Sequence, residues 1–248
     1  MKTIQKKAHF VKELLQMCSS PVGVKFFEDN PTLPKDVNPL KSHRYCQALM
    51  KARHGEKVWI DANGINCPAA ASAFGFKPLP KGLESGKGLV GFGITHEENA
   101  GVQIFKGMEK FDVGEIRGIY LFPLEEADEE PNVVIMEDET EKLIWASLAY
   151  LNSKGGRRIE SSTAILQATC VDTTIIPHKQ QKMNLNYGCY GCRDATDIKS
   201  GEAVLGFPFF DFNPIYDYLE HLGKKAIRNS RGKYALTILK RKDAEKIG

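Results

Sequence analysis

The sequence contains no apolar run approaching the ~20 residues needed to span a bilayer. Its first ten residues, Met1 to Phe10, are basic but lack the apolar core of a secretory signal. These absences lead us to expect a soluble, cytoplasmic chain with no membrane partner. A strong charge of either sign is also missing. Charged residues make up 26% of the 248 positions, yet the formal net charge is only +3 and the cations are scattered rather than banked. Neither disorder nor a nucleic-acid partner fits that balance. The densest basic run, Lys240-Arg241-Lys242, reads as a solvated tail.

Common catalytic signatures are absent as well. There is no Gly-x-Ser-x-Gly elbow and no His-Glu-x-x-His pair, so neither motif supplies a nucleophile or a zinc-bound water. Gly86-Lys87-Gly88 lacks the rest of the phosphate-loop spacing, and Gly91-Phe92-Gly93 is too short for a dinucleotide fingerprint. The glycine-rich middle, from Pro78 to Gly118, reads as turns beside a small-residue helix. His96, Glu97 and Glu98 have no second histidine at helical spacing and read as a solvated loop.

What the chain does have is thiol. Six cysteines in a reducing compartment are more naturally free, catalytic or metal-bound than part of a disulfide framework. The key stretch is Asn186-Tyr187-Gly188-Cys189-Tyr190-Gly191-Cys192-Arg193-Asp194. A Cys-x-x-Cys spacing lets two sulfurs reach one metal, one cluster or each other, because the intervening residues turn the chain back. Gly188 and Gly191 relax that backbone. Arg193 is placed to hold an anionic substrate or offset a cluster's charge.

Two more cysteines stand at helix starts. The segment Tyr45–Arg53 has helical character and ends before Gly55, which puts Cys46 in a first turn where free N–H groups stabilise a thiolate. Cys67 precedes Pro68, a residue suited to the first position of a helix, and so occupies the cap. Cys170 is expected near the far end of an apolar helix that begins at Ala164. Cys18 closes an amphipathic helix from Thr3 and reads as a small packed hydrophobe. Lys25, in the strand-like run Pro21–Phe27, either points into a site to hold an anion or emerges at the strand edge.

The remaining pattern alternates strands and helices. Strands are expected at Val58–Ile60, Ile119–Leu124, Val133–Met136, Lys182–Tyr187 and Glu202–Phe207. Helices are expected at Glu139–Asn152, with Leu143, Ile144, Ser147, Leu148 and Leu151 as its inner face, and at Ile215–Arg228. The class is α+β (mixed α/β), a mixed sheet with flanking helices. Residues 1–248 read as a single domain, with residues 114–118 as the place for any division into two closely packed lobes.

The order Pro21-Val22-Gly23-Val24-Lys25, Cys46-Gln47, Cys67-Pro68-Ala69-Ala70, Gly188-Cys189-Tyr190-Gly191-Cys192-Arg193 and Gly206-Phe207-Pro208 resembles the archaeal conserved region family, domain of unknown function 169. The likeness runs over about residues 10 to 230. It implies a thiol set of Cys46, Cys67, Cys170 and Cys189; Cys192, which falls where relatives carry a different residue, joins the cofactor-binding residues through its Cys-x-x-Cys spacing, either as a ligand or as a redox partner or neighbouring thiol. The family name carries no established activity.

Four thiolates suffice for a four-iron four-sulfur cluster or a structural zinc. Zinc sites usually bring two close pairs, whereas only Cys189 and Cys192 are close here. We therefore expect a cytosolic iron-sulfur protein, either an electron carrier with a redox partner or a cluster-dependent oxidoreductase or lyase on a small molecule. The alternatives are a zinc-stabilised binding module, a thiol oxidoreductase in which Cys189 attacks and Cys192 resolves, and ordinary buried cysteines. A homo-oligomer is compatible with each.

Overall fold

A computed structural model describes residues 3–227, and the basic run Lys240-Arg241-Lys242 lies outside the described residues. The chain opens with α1 (Ile4–Leu15), whose N-terminus is capped by the Thr3 hydroxyl accepting from the Lys6 N–H at 3.4 Å. There follow β1 (Val22–Phe27), a proline-rich loop ending in the short β2 (Asn38–Pro39), α2 (Tyr45–Arg53), β3 (Val58–Asp61) and α3 (Pro68–Ala73). The glycine-rich middle is more helical than its composition implies, forming α4 (Lys81–Glu84), α5 (Lys87–Gly91) and α6 (Glu98–Lys106). Glycines separate these short pieces rather than preventing them: Gly86, at φ +75°, breaks the chain between α4 and α5.

The second half supplies β4 (Gly118–Pro123), β5 (Val133–Glu139), α7 (Thr140–Ser153), a π-helical segment (Ala168–Ile175), α8 (Ile176–Gln180), β6 (Asn184–Asn186), α9 (Tyr190–Ala195), β7 (Glu202–Pro208) and α10 (Phe212–Lys224). Among the described residues seven strands join one sheet in the order β2-β3-β4-β1-β5-β7-β6. Among these strands of the described residues β2 and β3 alone pair in parallel, so the sheet is mixed and the fold is α+β. Strands from both sides of residues 114–118 lie side by side in it.

Alternation along the strands divides the core in two. Ile119 and Leu121 of β4, with Val133 and Ile135 of β5, face a core that includes Leu49 of α2, Phe74 and Val171. Tyr120, Phe122, Val134 and Met136 point the other way, toward α1, α7 and α10. This period of two with both faces buried is what a sheet sandwiched between helix layers requires. Gly206 lets the π-helical segment lie directly on β7, because a side chain there would collide with the Thr173 carbonyl.

Three expectations need correction. The run from Ala164 is not a helix ending at Cys170; Cys170 is the third residue of a π-helical segment that continues to Ile175. The face of α7 that packs inward carries Leu143, Ala146, Ala149 and Tyr150, while Ile144 is 59% exposed. Alanines allow the close approach to the sheet that a leucine stripe would prevent. Finally, α1 stops at Leu15 with Gln16 in the left-handed region, so Cys18 lies beyond it, exposed, with the Lys142 ammonium 3.3 Å from its sulfur.

Candidate functional site

Five of the six cysteines gather on the face that carries α2, α3 and the π-helical segment. Cys189 is the N-cap of α9, and its Sγ accepts the backbone N–H of Cys192 at 3.2 Å. Gly188 makes that entry possible: its φ is +80°, and a Cβ would also press on Ile198. The two motif sulfurs stand 2.9 Å apart and are not bonded. Cys46, the second residue of α2, is a hydrogen-bond partner of the Cys192 thiol, and both belong to one buried cluster with Cys189 and Ala168.

Polar contacts hold these helix starts in place. Arg44 donates to the Gly191 carbonyl at 2.9 Å, and Gln47 donates to the Ala195 carbonyl at 3.3 Å, so α2 and α9 lie against each other. Gln47 also accepts the Arg44 N–H at 2.9 Å, closing the first turn of α2. Tyr45 bonds Thr174 at 3.0 Å, which ties α2 to the π-helical segment. From that segment Thr169 places its hydroxyl 3.3 Å from Cys192 Sγ, and Cys170 points its thiol toward the Gln167 carbonyl at 3.8 Å. Cys67, the N-cap of α3, is half-buried and adds its charge to those felt by Cys170.

The thiols are buried and mutually coupled. Burial pushes the Cys170 thiol up, and the neighbouring Cys67, Cys189 and Cys192 push it further. Cys189 is raised by its hydrogen bond with Cys192 and then by burial. In Cys192 the bond with Cys189 pulls down, but the bond with Cys46 and burial outweigh it and push the thiol up to about 12. All three are therefore protonated near neutral pH in the metal-free chain.

Among the described residues no group of three or more His, Cys, Asp or Glu side chains is disposed to hold a single metal ion.

The cations expected at the site are engaged elsewhere. Arg193 spends its guanidinium on the carbonyls of Tyr187, Lys199 and Glu202, bracing the Cys-x-x-Cys loop against its own flanks. Lys25 donates to the Glu130 carbonyl at 3.0 Å and lies 3.9 Å from Glu129. Thr169, Arg44 and Gln47 are site residues that the motifs did not reveal. Gln47 had one signal, its place directly after Cys46.

Residues 11–217 match the model of a family described as uncharacterised ArCR, DUF169. The chain belongs to the DUF169 family. The match spans every cysteine discussed and every strand of the sheet, so the thiol cluster is part of the DUF169 domain itself. No curated protein and no solved structure matches the chain. Among the described residues no helix is long and apolar enough to cross a membrane.

Proposed function

We propose that this DUF169 chain is an iron-sulfur protein whose cluster is held by Cys46, Cys67, Cys170 and Cys189, with Cys192 as a protonated neighbour. The observation that carries the reading is the convergence of five free, largely buried cysteines from four separate segments into one neighbourhood of packed and electrostatically coupled thiols. Free thiols packed as core filler have no reason to meet. Cysteine is also the ligand class that iron-sulfur clusters use.

The electrostatics of the chain suit an anionic group. Cys46, Cys67 and Cys189 all lie at helix starts, where unpaired backbone N–H groups favour negative charge. Cys192 and the Thr169 hydroxyl offer further hydrogen bonds beside it. When bound, a cluster would supply one-electron chemistry or, with an open iron position, Lewis acidity toward a small molecule. The residues themselves contribute burial, spacing and exclusion of bulk water.

A second reading has one specific observation behind it. The 2.9 Å separation of Cys189 and Cys192 places a dithiol ready to oxidise. Against it, both sulfurs are buried and both thiols are raised, the reverse of the exposed, low-pKa nucleophile that thiol exchange uses. A zinc-stabilised module lacks a single-ion ligand group among the described residues. Purification without oxygen, followed by iron and acid-labile sulfide analysis, tests the first reading. A Cys192→Ser variant that traps mixed disulfides would instead support the second.

A further inference from the structure

Next to the Cys-x-x-Cys loop lies a cavity that the cysteine chemistry does not use. It is a groove of about 580 Å³ between α7 and the β6–β7 edge of the sheet. Leu143, Ile144, Leu148 and Leu151 form one wall, with Ile159 and Leu185 opposite. None of the side chains lining it is charged. The volume falls inside the roughly 300–1,000 Å³ range of small-molecule sites, which are likewise mostly apolar with a few placed polar groups.

The polar end of the groove is specific. Ser161 donates to Asn184 and Leu185, and Thr163 donates to Asp172 at 2.7 Å, so both hydroxyls are engaged. Asn186 gives its amide nitrogen to the Asp172 carboxylate at 2.5 Å and to Thr163. Its Oδ1 is buried and has no hydrogen-bond partner. Asn186 and Tyr187 lead directly into Gly188 and Cys189, and Arg193 holds the Tyr187 carbonyl.

We infer that this groove binds an uncharged, largely apolar small molecule, seated beside the Cys-x-x-Cys loop. A charged ligand would find no counter-charge in the lining. The inference is independent of what the thiols hold, and its test requires no metal.

The probe is N-phenylnaphthylamine, an uncharged aromatic with a single N–H whose emission rises in apolar surroundings. Titrated into the full chain, it binds saturably at one molecule per chain. Its sulfonated analogue binds more weakly. Leu148→Arg, which puts a charge in the wall, weakens the probe about tenfold or more. Ile144→Arg repeats the test at a position already exposed, so folding is retained, as circular dichroism would verify. The proposal is overturned by non-saturable binding, or by wild-type affinity in both variants. It is equally overturned if sedimentation shows a dimer that Ile144→Arg dissociates, because the groove would then be an interface between copies.

Discussion

The Cys189 sulfur accepts the backbone N–H of Cys192 at 3.2 Å while standing 2.9 Å from the Cys192 sulfur. One thiol therefore caps the helix that carries the other. The motif is held by the fold before any metal or oxidant acts on it, and its chemistry depends on how firmly α9 is seated.

Ligand assignment is the first prediction. Serine in place of Cys46, Cys67, Cys170 or Cys189 removes most of the bound iron, because a hydroxyl is a much poorer cluster ligand than a thiolate. Cys192→Ser keeps most of it. Iron analysis of the five anaerobically purified variants checks this, and equal iron in all five would remove the site.

The two motif glycines are predicted to behave oppositely. Gly188 has φ +80° and a Cβ there would press on Ile198, so Gly188→Ala lowers stability by about 1–3 kcal/mol. Gly191 lies inside α9, where a Cβ would meet only the end of the Arg44 side chain at 3.4 Å. Gly191→Ala is neutral or stabilises by up to about 1 kcal/mol through helix propensity. Urea unfolding of the two variants separates these outcomes.

Arg193 is predicted to act as a brace rather than an anion holder. Its guanidinium serves three carbonyls at once, which an ammonium cannot reproduce. Arg193→Lys costs about 1–3 kcal/mol and lowers metal occupancy with it. A variant of unchanged stability would return the residue to a ligand-binding role.

Acid stability offers a fourth prediction. Glu137 is buried beside Arg53, at 3.0 Å, and burial raises it to about 7 despite that cation. The folded chain thus keeps a proton that the unfolded chain releases near 4.5. Stability from this group is complete below pH 4.5 and is lost as pH rises toward 7, at up to about 1.4 kcal/mol per pH unit. Glu137→Gln removes that slope in a series of denaturant titrations from pH 5 to 7. A slope of the same size in the variant would assign it to another group.

Much of the site was legible because it obeys local rules. Pro68 announced the helix that Cys67 caps, and the Tyr45–Arg53 pattern put Cys46 in a first turn. Continuous apolar runs predicted β4 and β5, whose residues divide between two cores. Other features answer to tertiary packing. The π-helical segment that presents Thr169 and Cys170 follows the contact between Thr173 and Gly206, which pairs residues far apart in sequence. In α7 the sheet selects the alanine side, leaving part of the leucine stripe to line a groove. Arg193 looked like a free cation because its three partners are backbone carbonyls, which no side-chain pattern encodes.

The central claim is that the converging thiols hold an iron-sulfur cluster. Iron and acid-labile sulfide, measured with a visible spectrum on the full chain purified without oxygen, test it most directly. The account predicts a brown protein with about four irons and four sulfides per chain. A colourless protein containing zinc, or no metal, would contradict it and leave Cys189 and Cys192 as a structural or exchanging thiol pair.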